Sequence, residues 1–95
     1  MAVHVAMVEI TIQLHSVSSL KEKRGLRNSI VDRMRRRYNV SISEVEHLDS
    51  KKFLGLAASA VSNSQRVIDG MFSKMLQEIE YHHGCDVVRY EQTVL

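Results

Sequence analysis

The sequence predicts an α+β domain of ferredoxin-like βαββαβ order, a four-stranded antiparallel sheet with two helices on one face. Three observations carry that expectation. The chain has 95 residues, which fits one domain spanning 1–95. Four short segments read as strands, bounded by hydroxyl-rich or charged turns. Between them lie two longer segments with apolar residues three and four apart, each forming a single stripe. A helix with one apolar stripe covers one sheet face and leaves its outer side to water.

The first strand is expected over residues 2–14. Ala6, Val8, Ile10, Ile12 and Leu14 alternate with Met7, Glu9, Thr11 and Gln13. Val3 and Val5 break the alternation, because they make the second face apolar too. The segment His15-Ser16-Val17-Ser18-Ser19 is a loop. Ser19 and Glu22 then form an S-x-x-E capping box, in which the serine accepts from a first-turn amide and the glutamate returns to the cap amide. The first helix runs to about Tyr38, with Leu26, Ile30 and Met34 on its stripe and Leu20, Val31 and Tyr38 widening it. Asn39 suits the helix end, since asparagine tolerates the left-handed conformation.

The second strand is expected over Val40–His47. Val45 is out of phase with Val40 and Ile42, which marks a bulge or an early end. After the turn Leu48-Asp49-Ser50-Lys51, Phe53–Val61 reads as a third strand, apolar on both faces. Its short length separates it from a buried helix. Ser62 and Gln65 form a second capping-box pattern ahead of a helix carrying Ile68, Met71, Phe72, Met75 and Ile79. Gly84 is the expected cap at its C-terminus. Val87–Val94 is the fourth strand.

Composition excludes several classes. The single cysteine, Cys85, cannot form an internal disulfide, so a disulfide-stapled secreted domain is excluded. The N-terminal residues lack a basic region, and Glu9 and Gln13 break the apolar stretch, so no signal peptide is expected. No apolar run reaches the ~20 residues of a membrane span. A cytoplasmic location is the expectation.

Net charge is only +2, but it is unevenly placed: eight of the thirteen Lys/Arg and two of the eleven acids fall between Ser19 and Asn39. This asymmetry points to a polyanionic partner. Lys21, Arg24 and Arg35 fall on one flank of the first helix's stripe, Arg33 on the other, and Arg36 points away. Lys23, Arg27 and Arg37 fall within the stripe, so their heads must snorkel outward or meet acids, with Glu44 and Glu46 as candidate partners. Lys21, Lys23, Arg24, Arg27, Arg35 and Arg36 are the candidate nucleic-acid-binding residues. A charge run of this kind also serves as a solvated face. With three Tyr, two Phe and no Trp, and no aromatic on the first strand, base stacking is weakly supported, so contact to backbone phosphates is expected.

His82, His83 and Cys85 cluster near the end of the second helix, but adjacent helical histidines point about 100° apart, and no metal site is expected. No Gly-rich phosphate loop or nucleophile motif is present, so neither an enzyme nor a cofactor is expected. A domain this small has a thin core. The apolar second phase at Val3, Val5 and Met7 suggests a homo-oligomer, a dimer first, using the open sheet face. That assembly role is the alternative to nucleic-acid binding.

The string Ser19-Leu20-Lys21-Glu22-Lys23-Arg24, after a strand and a hydroxyl-rich turn, resembles the YlxP-like family of small bacterial proteins of unassigned function. The resemblance continues through Tyr38-Asn39-Val40-Ser41-Ile42-Ser43-Glu44-Val45, through Asp49 and Leu54-Gly55-Leu56-Ala57, and up to Val61-Ser62-Asn63. It implies the same ferredoxin-like fold and a bacterial cytoplasmic protein. The family's usual placement beside translation and ribosome-maturation factors implies RNA or the ribosome as partner. One departure is the tryptophan that relatives often carry shortly after the position of Asp49. This chain has Ser50-Lys51-Lys52-Phe53 there.

Overall fold

The alternation of the first strand sorts its residues into two environments. In a computed structural model describing residues 2–95, β1 (His4–Gln13) buries Ala6, Val8, Ile10 and Ile12 on one face. It leaves Val5, Met7, Glu9 and Gln13 half-buried on the other. The remaining elements follow as α1 (Leu20–Arg37), β2 (Ser41–Glu46), β3 (Phe53–Ser62), α2 (Gln65–His83) and β4 (Asp86–Val94). The sheet order is β2-β3-β1-β4 and every pairing is antiparallel. This is the ferredoxin-like arrangement, with β2 and β4 at the edges.

Register explains the core. Ile12 pairs with Leu54, Ile10 with Leu56, Val8 with Ala58 and Ala6 with Ala60, so the buried residues of both central strands share one face. Ile30, Val31 and Met34 of α1, and Ile68, Phe72, Met75 and Ile79 of α2, complete that cluster. The small residues Ala58 and Ala60 let the helices approach the sheet. The opposite face carries Val5, Met7, Ser59 and Val61 at one end and Glu9, Gln13, Arg89 and Glu91 toward the other.

Val45 does sit at a bulge: Glu44 pairs with Leu56 and Glu46 with Gly55, leaving Val45 unpaired between them. The bulge presses Glu46 onto Gly55, where an added Cβ would lie 2.7 Å from Glu46 Cβ. Only glycine fits that approach. A second irregularity, between Thr11 and Ile12, leaves Val88 of β4 as an extra residue.

The helix ends differ from expectation in three details. Ser19 Oγ accepts from the Glu22 amide at 3.1 Å as expected. Glu22, however, accepts from the amide and hydroxyl of Ser18 at 2.7 and 2.8 Å, one residue before the cap. Ser18 offers two donors where the cap amide offers one. These bonds, the Ser18 amide first, hold the Glu22 carboxyl below the usual range. At the other end of α1, Tyr38 is extended with φ −134° and its amide bonds to Met34, so Asn39 is not left-handed. The α2 cap is Ser64, whose hydroxyl accepts from the Val67 amide, while Ser62 Oγ accepts from the Ser64 amide. The Ser62–Gln65 capping box is therefore replaced by a cap two residues later. Gly84 takes the left-handed conformation at φ 61°.

Candidate nucleic-acid interface

Helix α1 packs over β2, so the strand residues on the helix side decide what its cations meet. Glu44 pairs with the core residue Leu56, which puts its carboxylate under α1. Lys23 Nζ lies 3.2 Å from Glu44 Oε2 and also donates to the His47 carbonyl. Arg27 Nη1 lies 3.0 Å from Glu44 Oε1. One carboxylate thus receives two of the cations that fall inside the apolar stripe. Glu46, beyond the bulge, makes no ion pair among the described residues.

This corrects the expected set of phosphate contacts. Lys23 is 2% exposed and its charge is met inside the protein, so it belongs to the interior and not to the outer surface. Arg27 is half-buried and held by Glu44. Its guanidinium also reaches Asn28 Oδ1. Lys21, Arg24, Arg35 and Arg36 are exposed and form no ion pair with a carboxylate among the described residues. Arg35 donates to the Ile42 carbonyl of β2 at 3.0 Å, which anchors it beside that strand.

Two adjoining clefts run between α1 and the β2 side. One of about 250 Å³ is lined by Arg27, Asn28, Val31, Arg35 and Leu48 among others. A smaller one of about 140 Å³ is lined by Leu20, Arg24, Arg27, Leu48 and Asp49 among others. They share Arg27, Glu44 and Leu48, so together they form one shallow groove with Arg24 near one end and Arg35 near the other. Eleven residues of helix separate those two arginines, a rise of about 16 Å.

The far end of α1 is occupied differently. Glu78 of α2 accepts from Arg33 at 3.1 Å and from the Tyr38 hydroxyl, and forms an ion pair with Arg37 Nε at 2.6 Å. Arg37 is thus the third stripe cation, and its partner is Glu78, which the sequence does not single out. Burial alone would raise the Glu78 carboxyl. The Tyr38 and Arg33 hydrogen bonds and the charges of Arg37 and Arg33 outweigh it and hold the carboxyl low. Burial and the Glu78 carboxylate push the Tyr38 phenol up. Beside this network Tyr81 is 85% exposed, with its ring against His82, and lines a cleft of about 520 Å³ with Arg37, Lys74 and Tyr38.

His82, His83 and Cys85 do not gather round a common point. Among the described residues no three His, Cys, Asp or Glu side chains do so. Cys85 is buried, its thiol bonded to the His83 carbonyl at 3.4 Å and pushed up by burial and by Asp86. Burial first, then the Arg33 charge, lowers His83. Val5 and Met7 lie half-buried on the open face, and Val3, just before β1, is 61% exposed. Among the described residues no helix is long and apolar enough to cross a membrane.

The fold and the groove describe a ferredoxin-like protein with a basic helix. Residues 5–92 match the model of the family described as "Protein of unknown function (DUF503)", and the chain belongs to that family. It is similar to the uncharacterized protein YlxP of Bacillus subtilis (strain 168), with 29% identity over 76 residues, covering 80% of this chain and 83% of the relative. The resemblance read from the sequence therefore stands. Among solved structures, the de novo designed protein Foldit4 aligns with a TM-score of 0.54 at 16% identity, covering 96% of both chains, and supports the fold. A putative PII-like signaling protein from Thermus thermophilus aligns with a TM-score of 0.43 at 21% identity, covering 100% of this chain and 92% of that one.

Proposed function

We propose that this protein is a cytoplasmic, non-enzymatic RNA- or ribosome-associated module that holds backbone phosphates along the groove between α1 and β2. The observation that carries this reading is the division of the α1 cations. Lys23, Arg27, Arg33 and Arg37 are matched by Glu44 and Glu78. Lys21, Arg24, Arg35 and Arg36 have no carboxylate partner among the described residues. The four without an acid partner are left to water or to an anionic ligand. Unpaired, outward guanidinium groups suit phosphate oxygens, which they meet as a planar fork. The ~16 Å between Arg24 and Arg35 spans several nucleotides of backbone. The family's neighbourhood beside translation genes agrees with RNA over DNA.

The test is binding of a labelled single-stranded RNA at low salt to wild type and to Arg24→Glu/Arg35→Glu. The double variant should lose about tenfold or more in affinity, because each reversal removes one phosphate contact and adds a repulsion. Lys23→Met, with its folding confirmed by circular dichroism, should bind as wild type. Equal binding by the reversed variant would refute the groove as the RNA surface.

A further inference from the structure

Strand β4 is an open edge, nine residues long, with neither Lys nor Pro to block pairing. The other edge, β2, has six residues and is bent by the Val45 bulge, the usual way an edge is protected. On β4, Val88, Tyr90 and Val94 are exposed by 51%, 39% and 58%. Its irregularity lies at Val88.

We propose that β4 pairs antiparallel with β4 of a second copy about a twofold axis at Tyr90, joining two sheets into one of eight strands. About this axis only Arg89–Glu91 is regular on both copies, and Val88 falls opposite the partner's Gln92. The charges favour an axis at Tyr90 over its two neighbours. Antiparallel pairing keeps partners on the same face, so the axis must pass through a residue. Arg89 pairs with Thr11 and Glu91 with Glu9, which puts both charges on the open face, while Tyr90 opposite Ile10 faces the helices. An axis at Arg89 sets two arginines opposite each other, and an axis at Glu91 sets two glutamates. An axis at Tyr90 sets Arg89 against the partner's Glu91 twice, with the two tyrosines side by side, a favourable cross-strand set. Within one chain Arg89 already serves two acids, Glu91 at 2.7 Å and Glu9 at 3.9 Å, so the local cluster carries excess negative charge. Pairing places the partner's Arg89 directly opposite Glu91, so each Glu91 gains a second cation across the axis. The open face is the weaker candidate for a second copy, because Glu9, Thr11 and Gln13 place polar groups along its central strand.

The test is mass in solution by light scattering across a concentration series. Wild type should approach dimer mass, and Arg89→Glu and Glu91→Arg alone should each be monomeric. An equimolar mixture of the two should recover dimer, because the reversed charges then face their opposites in both pairs. In a Cys85→Ser background, Tyr90→Cys should form an intermolecular disulfide on mild oxidation, since directly opposed Cα atoms lie about 4.5–5.5 Å apart. A wild-type monomer at the highest concentration would overturn the proposal. So would dimers unaffected by both reversals, or Glu91→Cys cross-linking in place of Tyr90→Cys.

Discussion

Glu44 Oε2 lies 3.2 Å from Lys23 Nζ, with 7% and 3% of the two side chains exposed. That pair decides which cations of α1 face the outside. Removing one partner of a buried ion pair leaves a desolvated charge, whereas replacing both with apolar groups does not. Glu44→Ala should therefore cost about 3 kcal/mol. Lys23→Met/Glu44→Leu should stay within about 1 kcal/mol of wild type, since half-buried Arg27 can turn to water. Urea unfolding of the single and double variants checks both values.

Glu78 gives the protein a defined acid response. Its folded carboxyl is held below the ordinary 4.5, so the unfolded chain takes up the proton first as pH falls. Its contribution is fully present above about pH 4.5 and is lost as pH drops through the lower folded value. Melting temperature against pH should fall across that acid range in wild type. Glu78→Gln should be less stable at neutral pH and show a flatter acid limb.

Two glycines should respond oppositely to alanine. At Gly55 the new Cβ meets Glu46 Cβ at 2.7 Å and the Glu46 carbonyl oxygen at 2.9 Å, so the bulge must shift. A loss of about 1–3 kcal/mol is expected. At Gly25, exposed within α1, nothing lies within 4 Å of the added methyl. Helix propensity there favours alanine by up to about 1 kcal/mol. Thermal melts of the two variants should move in opposite directions.

The α2 cap separates two serines. Ser64→Ala removes the acceptor for the Val67 amide and should cost about 1 kcal/mol. Ser62→Ala loses a bond to the Ser64 amide, which lies ahead of the helix and is not one of its free first-turn donors, and should cost less. Chemical denaturation of both distinguishes them.

Much of the fold was legible because period-two and period-four patterns survive in a short chain. Val45 showed the bulge by breaking phase, and Gly84 showed the end of α2. The α2 cap was not legible, since Ser62 and Ser64 both precede the stripe and only the turn geometry chooses between them. Within the site, the stripe positions of Lys23, Arg27 and Arg37 showed that these cations need partners. Which acid serves which was hidden. Strand parity puts Glu44 under the helix, and the bulge separates Glu46 from it. Glu78 lies 40 residues from Tyr38 and 45 from Arg33, and no local pattern links them.

The most direct measurement is the salt dependence of RNA affinity for wild type and for Arg24→Glu/Arg35→Glu. Arg24 and Arg35 in the groove, with Lys21 and Arg36 beyond it on α1, make four cations without a carboxylate partner and predict a slope of log K against log salt of about −3 for wild type on single-stranded RNA. The double variant should give about −1.5 or shallower, because two contacts are gone. Absence of wild-type binding at low salt, or an unchanged slope in the variant, would contradict a phosphate-holding groove along α1.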